Sequence, residues 1–299
     1  MNKARILILG ISGMLGHSLF RKMIDVGHYD VFGTVRDCNT LRGFPIELEC
    51  KIIKEIDLED VRELDKVISS IKPDYVINCV GLIKQLPISQ DPIAAIKINS
   101  LLPHQIAIIC RNQGVRMIHV STDCVFDGKR GHYSEKDISN ADDLYGKTKS
   151  LGEVAYPHCV TLRTSIIGHE LRNKLGLVEW FLSQEKTVKG YKKAIYSGFP
   201  TIELARIIGE YLVPFHNLHG LYHVSSDPIS KYELLKLIAS RYGKNIDIEP
   251  DEEIHIDRSL DSSLFRSITG YNPPSWPELI DMMYQDYIAS PCYHLNKEG

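Results

Sequence analysis

The first 165 residues alternate short apolar runs with amphipathic stretches. ARILILG (4–10) reads as a strand, and MLGHSLFRKMIDVG after it has helical character. YDVFGTVR (29–36) and the weaker KIIKEID (51–57) follow as strands. In LEDVRELDKVISSI, apolar residues at Leu58, Val61, Leu64, Val67, Ile68 and Ile71 come close to one helical stripe. PDYVINCVG (73–81) and VRMIHVST (115–122) are nearly continuous apolar runs, the pattern of strands buried on both faces. Between them, DPIAAIKINSLLPHQIAIICRNQG predicts a helix that Pro103 should kink or break. Strands alternating with helices predict an α/β fold, a doubly wound parallel sheet with helices on both faces. After about residue 165 the rhythm loosens. YELLKLIASRYG and PELIDMMYQDYI predict helices, joined by Pro- and Gly-bearing connections with no repeat or clear linker.

The glycines after the first strand sharpen this picture. ILILGISGMLG sets Gly10, Gly13 and Gly16 between a strand and a helix, with Ser12 in the turn and Met14 and Leu15 opening the helix. Glycines let a backbone turn tightly and approach a pyrophosphate, whose charge the amides at the helix N-terminus hold. The spacing is GxxGxxG, in place of the commoner GxGxxG. We therefore expect a Rossmann-type domain built from residues 1–165 plus about 199–226. A smaller C-terminal α/β lobe from about 166–198 plus 227–299 would wrap onto it.

In such a domain the end of the second strand reads the adenosine ribose. An acidic residue there pairs with a free 2′-hydroxyl, and an arginine accommodates a 2′-phosphate. The chain offers Arg36, which favours NADPH, followed by Asp37, which keeps NADH in play. Asp57 and Leu58 follow the third strand, where adenine would lie. Cys79, Val80 and Gly81 close the fourth at the carboxyl edge, and Gly81 would let backbone approach a cofactor.

Bulk properties remove other classes. With 299 residues and a formal net charge of −3, the chain has no electrostatic case for nucleic acid or an anionic membrane. Its longest apolar runs fall short of a bilayer span. The N-terminal apolar run ends in a glycine turn without a small-residue cleavage site, so it reads as a strand and not as a secretion signal. Seven cysteines without CxxC spacing point to the cytoplasm. The histidines and cysteines show no ligand spacing, so no metal site is expected, and His28, His119 and His223 are placed at strand edges.

The chemistry concentrates after the fifth strand. Ser121 and Thr122 emerge at its end, and YGKTK follows in a predicted helix, where Tyr145 and Lys149 share one face. A phenol is a weak acid near neutrality. A neighbouring ammonium, with the positive charge of an oxidised nicotinamide, would draw the Tyr145 pKa down. Tyr145 could then protonate a carbonyl oxygen while hydride reaches the carbon, with Thr122 hydrogen-bonding the same oxygen.

GxxGxxG, the STDxVFDG stretch at 121–128 and YGKTKxxGE at 145–153 together resemble the extended short-chain dehydrogenase/reductase superfamily, and within it the dTDP-4-dehydrorhamnose reductase (RmlD-type) family. LRTSIIG (162–168), PTIELARII (200–208) and GLYHVSSDPISKYELLKLIA (220–239) extend the resemblance along most of the chain. It implies an NAD(P)H-dependent reductase of the 4-keto group of a nucleotide-activated 6-deoxy sugar, serving surface polysaccharide synthesis, with a homodimer left open. It implies Thr122, Tyr145 and Lys149 as the catalytic trio, Lys149 also gripping the nicotinamide ribose. Thr164 and Ser165 join Gly10, Gly13, Gly16, Arg36, Asp57 and Leu58 as cofactor contacts.

The chain departs from relatives of this superfamily in places. Asp123 is followed by Cys124, so the Asp-Glu pair of sugar-nucleotide dehydratases is missing. Cys124 lies where the similar GDP-fucose synthases keep an acid/base cysteine. Their partner histidine is absent from 175–184, which leaves His169 as a stand-in and an epimerase/reductase as one alternative. A second alternative is a non-catalytic NADP-binding regulatory subunit, resembling that of methionine adenosyltransferase. Lys84 and Gln85, on a loop expected over the sugar, and Lys189, among Lys186, Lys192 and Lys193, are candidate substrate contacts, as are Asp123 and Cys124.

Overall fold

The computed structural model describes residues 3–41, 44–171 and 175–294, so the tail 295–299 assigned above to the C-terminal lobe lies outside the described residues. The first part runs β1 (Ala4–Leu9), α1 (Met14–Val26), β2 (Tyr29–Thr34), β3 (Ile52–Ile53), α2 (Val61–Ile71) and β4 (Tyr75–Asn78). It continues through α3 (Pro92–Ala95), α4 (Leu102–Gln113), β5 (Arg116–Thr122), α5 (Leu144–Leu151) and β6 (Cys159–Thr164). Next come β7 (Ile166–Ile167), α6 (Leu177–Ser183), β8 (Val188–Tyr191), β9 (Ala194–Tyr196), β10 (Phe199–Pro200), α7 (Thr201–Ile207) and β11 (Gly220–His223). The chain closes with β12 (Ile229–Ser230), α8 (Lys231–Tyr242), β13 (Ile248–Asp251), β14 (Ile256–Asp257), α9 (Ser263–Thr269) and α10 (Trp276–Ala289).

Seven strands form one parallel sheet in the order β11-β6-β5-β4-β1-β2-β3. Strand β1 shows why the sheet is covered on both sides. Ile6 and Ile8 enter one apolar cluster while Leu7 and Leu9 enter the other, as the two-residue period of a strand requires. The cluster containing Ile6 continues through Leu204, Leu234 and Leu279, so α7, α8 and α10 share a core with α1. Strand order reverses between β1 and β4, and the carboxyl ends there open the crevice where such sheets take ligands.

Three expectations are corrected. Pro103 neither breaks nor ends its helix. Ile96–Leu101 forms a π-helical turn, in which the Leu102 amide bonds to the carbonyl of Lys97 five residues back, and α4 resumes with Pro103 in its first turn. The wider turn leaves room for the proline ring and asks for no N–H from it. Pro92–Gln113 thereby becomes a 22-residue helix whose most apolar 18-residue window has a mean hydropathy of 1.4, long and apolar enough to cross a bilayer by length and composition. Half of that window is buried, with Leu102, Ile106 and Cys110 packed in the cluster that also holds Leu7 and Leu64, so it serves as a core helix of the sheet. The third strand shrinks to Ile52–Ile53 at the sheet margin, because Glu55 turns out with φ 59°. His119 lies mid-strand in β5 and fully buried, its Nδ1 3.1 Å from Asn78 Nδ2.

Candidate functional site

The turn after β1 is built around backbone approach. Gly10 has φ +82°, and a Cβ there would lie 2.8 Å from a Val80 methyl. A Cβ on Gly16 would sit 2.2 Å from the Gly10 carbonyl oxygen, so α1 seats directly on the turn. Helix α1 begins at Met14 with Gly13 as its N-cap, without a capping side chain and without an acid in its first turn. Helices α2 and α5, by contrast, are capped by Asp60 and Asp143. The uncapped amides and the dipole's positive end leave α1 ready for an anion.

Beyond β2, Arg36 is exposed and has no hydrogen-bond or ionic partner among the described residues. The Asp37 carboxylate accepts from the Asn39 amide at 2.8 Å and from its side chain at 2.9 Å. Both side chains are exposed, and of the two the carboxylate is the one engaged by Asn39. Asp57 is exposed and accepts from the Glu59 amide, while Leu58 packs over the core that includes α2. A dinucleotide fits these residues: a glycine cradle, an uncapped helix end and an unpaired cation stand in sequence along the carboxyl edge.

At the other side of the crevice, β5 ends in Thr122, whose hydroxyl accepts from the Cys124 amide at 3.1 Å and donates to Asp123 at 3.1 Å. Helix α5 begins one residue before Tyr145 because Asp143 caps it, accepting from the Gly146 amide at 2.7 Å. The helix is held close at both ends: a Cβ on Gly146 would strike the Cys124 carbonyl oxygen at 2.2 Å, and one on Gly152 that of Asn99 at 1.9 Å. Tyr145 and Lys149 therefore face the end of β5. Lys149 is buried and donates to the Val120 carbonyl at 2.8 Å, and its amine lies 3.9 Å from where a Cβ on Gly81 would stand. Burial lowers the Lys149 pKa to about 8, against the opposing pull of Glu153 and Cys79.

Tyr145 departs from expectation. Its pKa lies above the ordinary phenol value, because burial and the neighbouring Cys124, Asp123 and Asp143 outweigh the Thr122 hydroxyl beside it. The expected lowering depended on two cations, and the Lys149 ammonium is directed to the Val120 carbonyl. A phenol so placed stays protonated at neutral pH, the state a proton donor needs.

Asp123 and Cys124 do join the trio. Burial raises the Asp123 pKa, while Arg258 and the hydroxyls of Thr122 and Ser165 favour its charge. Cys124 is pushed up to about 12 by burial and by Asp123. Cys79, beside Lys149, is likewise pushed up to about 12 by burial. Thr164 is buried at the end of β6, and Ser165 follows it. Lys84 comes to α5 by another route, through a 2.7 Å ion pair with Asp143. Gln85 beside it is exposed. Lys189 is committed elsewhere, 2.8 Å from Asp251 and 3.6 Å from Glu253, and Lys192 and Lys193 pair with Glu252. His169 is no partner for Cys124: its Nδ1 is 2.5 Å from Glu179 and its Nε2 is 2.8 Å from the Tyr242 hydroxyl.

Several contributors were not read from the sequence. Asn99 binds Leu82 through both ends of its amide, at 2.8 and 3.1 Å, and so fixes the chain just after Gly81. An asparagine inside an apolar helical stretch was the available signal, since it favours helix poorly. Glu153 accepts from Ser121 at 2.8 Å and from Arg163 at 2.7 Å, buried one turn beyond Lys149. The Tyr196 hydroxyl is buried beside Ser165, close enough to Asp123 to feel its charge. Tyr196 and Arg258 are far away in sequence, and nothing local marks them.

A parallel Rossmann-type sheet, an uncapped glycine turn, and Thr, Tyr and Lys gathered where β5 meets α5 together define an extended short-chain dehydrogenase/reductase. The chain belongs to the RmlD substrate binding domain family, whose model matches residues 4–288. It is 28% identical over 241 residues to a dTDP-4-dehydrorhamnose reductase of Aggregatibacter actinomycetemcomitans, covering 77% of this chain and 76% of that one. It is also 28% identical over 253 residues to methionine adenosyltransferase 2 subunit beta of Danio rerio, covering 80% and 74%. Its fold matches a dTDP-4-dehydrorhamnose reductase from Bacillus anthracis, solved in complex with NADP, with a TM-score of 0.78 and 21% identity over 95% of this chain and 100% of that one.

Proposed function

We propose that the protein is an NADPH-preferring oxidoreductase that reduces the 4-keto group of a nucleotide-activated 6-deoxy sugar. The observation that carries this reading is the gathering of Thr122, Tyr145 and Lys149 beside an uncapped glycine turn. The glycine turn and the amides opening α1 would hold the pyrophosphate, and Arg36 the 2′-phosphate. Bound there, the nicotinamide supplies hydride. Tyr145, kept protonated by its surroundings, delivers the proton to the carbonyl oxygen. Thr122 orients that oxygen, and the Lys149 ammonium, held by the Val120 carbonyl, would grip the nicotinamide ribose. The polar groups of Asp123, Ser165 and Tyr196 form a floor suited to sugar hydroxyls.

The region 166–198 plus 227–294 would take the nucleotide sugar. Seven free cysteines agree with a reducing, cytoplasmic setting, and a role in surface polysaccharide synthesis follows from the substrate class. The test is oxidation of NADPH on adding dTDP-, UDP- or GDP-linked 4-keto-6-deoxy sugars. Tyr145→Phe should lower turnover by ~10²–10⁴ while leaving NADPH bound. Near-normal turnover in that variant would sink the mechanism.

A second reading has support in the relative from Danio rerio, which matches as well as the reductase does. A regulatory subunit would bind NADPH and a synthetase without oxidising the cofactor on any of these sugars.

A further inference from the structure

Helix α1 carries His17 and Arg21, one turn apart, and both reach the segment after α10. His17 is fully buried. Its Nδ1 lies 2.8 Å from the Gly13 carbonyl oxygen and its Nε2 lies 2.8 Å from the Tyr293 hydroxyl. A carbonyl can only accept, so Nδ1 carries the proton and Nε2 is an acceptor; the single Tyr293 hydroxyl proton goes to it at 2.8 Å in preference to Asp286 Oδ2, which is 3.2 Å away. Burial, helped by Arg21, holds the His17 pKa down to about 3, so this neutral tautomer persists across the working pH range. Arg21 in turn donates to the Tyr293 hydroxyl at 2.9 Å, to Asp286 at 3.0 Å and to Ser290 at 2.5 Å. Tyr293 also stacks on Tyr287, which stacks on His169.

Gly13 is the N-cap of α1, and its carbonyl already accepts the first intrahelical bond, from the His17 amide at 3.0 Å. The ring Nδ1 takes the second lone pair. In a planar trans peptide, C=O and N–H point in opposite directions. Fixing the Gly13 oxygen on two donors therefore fixes the Met14 N–H, which points out of the helix N-terminus. That amide belongs to the set proposed to hold the pyrophosphate.

We infer that His17 and Tyr293 are positioning residues for the dinucleotide: the segment after α10 sets the direction of the Met14 amide through the His17 ring. The inference rests on the dinucleotide reading of the glycine turn. It makes the far end of the chain part of the cofactor site without touching the cofactor.

The test is NADPH binding, by titration calorimetry, to the full chain and to Tyr293→Phe, His17→Ala and the double variant. Tyr293→Phe keeps its ring and its stacking, so the core stays filled. Each single change should raise the NADPH Kd about two- to tenfold, the range for one neutral hydrogen bond. The double variant should be no worse than His17→Ala, because the two act in series. At saturating NADPH, kcat of Tyr293→Phe should match that of the wild type within about twofold. His17→Asn, whose amide can still donate to Gly13, should recover part of the loss seen in His17→Ala. Unchanged Kd in the single variants, or additive losses in the double, would overturn the inference alone. Failure of the wild-type chain to bind NADPH would overturn the dinucleotide reading, and this inference with it.

Discussion

Raising the pH should switch off the reductase through one group. Lys149 has a pKa of about 8 in the folded protein. About nine tenths of it is charged at pH 7 and about one tenth at pH 9. Cys79 and Cys124 are pushed up to about 12 and Tyr145 lies higher still, so none of the three ionises in that interval. If the ammonium is needed, kcat/KM should fall about tenfold per unit above pH 8. Stability should move the other way. The folded value lies below the ordinary 10.5, so the cost of burying the charge is fully present below about pH 8. It is relieved as pH rises from about 8 toward 10.5, a contribution on the order of 3 kcal/mol. Lys149→Met removes both effects. The assay is the pH profile of NADPH oxidation for wild type and variant, beside urea unfolding at pH 7 and 10. A flat wild-type profile between pH 7 and 9.5, or the same fall in Lys149→Met, would refute the reasoning.

Other consequences are separately measurable. Arg36→Ala should weaken NADPH binding about 5- to 30-fold, the loss of one exposed charge-assisted contact, and leave NADH nearly unaffected. Equal losses for both would remove Arg36 from the 2′-phosphate. Gly16→Ala forces a methyl to within 2.2 Å of the Gly10 carbonyl oxygen, so it should cost about 1–3 kcal/mol in urea unfolding and weaken dinucleotide binding at least tenfold. Turnover in D₂O should leave no deuterium at carbons 3 and 5 of the sugar, because Cys124 at about 12 has little thiolate to act as a base and His169 is occupied elsewhere. Incorporation there would revive the epimerase alternative.

The strands and helices of the first 165 residues were legible because buried parallel strands and amphipathic helices write their periods directly into the chain. Gly10, Gly16, Thr122, Tyr145 and Lys149 were legible for a related reason: each lies at a strand's carboxyl end or in the turn or helix after it, which the sheet converts into proximity. What failed was local energetics. The π turn before Pro103 depends on which carbonyl a helix can spare, and the high pKa of Tyr145 depends first on its burial and then on Cys124 and Asp123, which sequence separation does not rank as neighbours. Lys189 looked like part of a basic patch until Asp251 and Glu253 arrived from about sixty residues away. Asn99, Tyr196, Arg258 and the bridge from His17 to Tyr293 needed the whole chain to be closed first.

The seating of α5 has a practical corollary for redesign. With Gly146 against Cys124 and Gly152 against Asn99, the reactive helix has no slack toward either neighbour. Libraries meant to change sugar preference should spare positions 146 and 152 and place their diversity in the loop around Lys84 and Gln85, whose ion pair to Asp143 is exposed and cheap to replace.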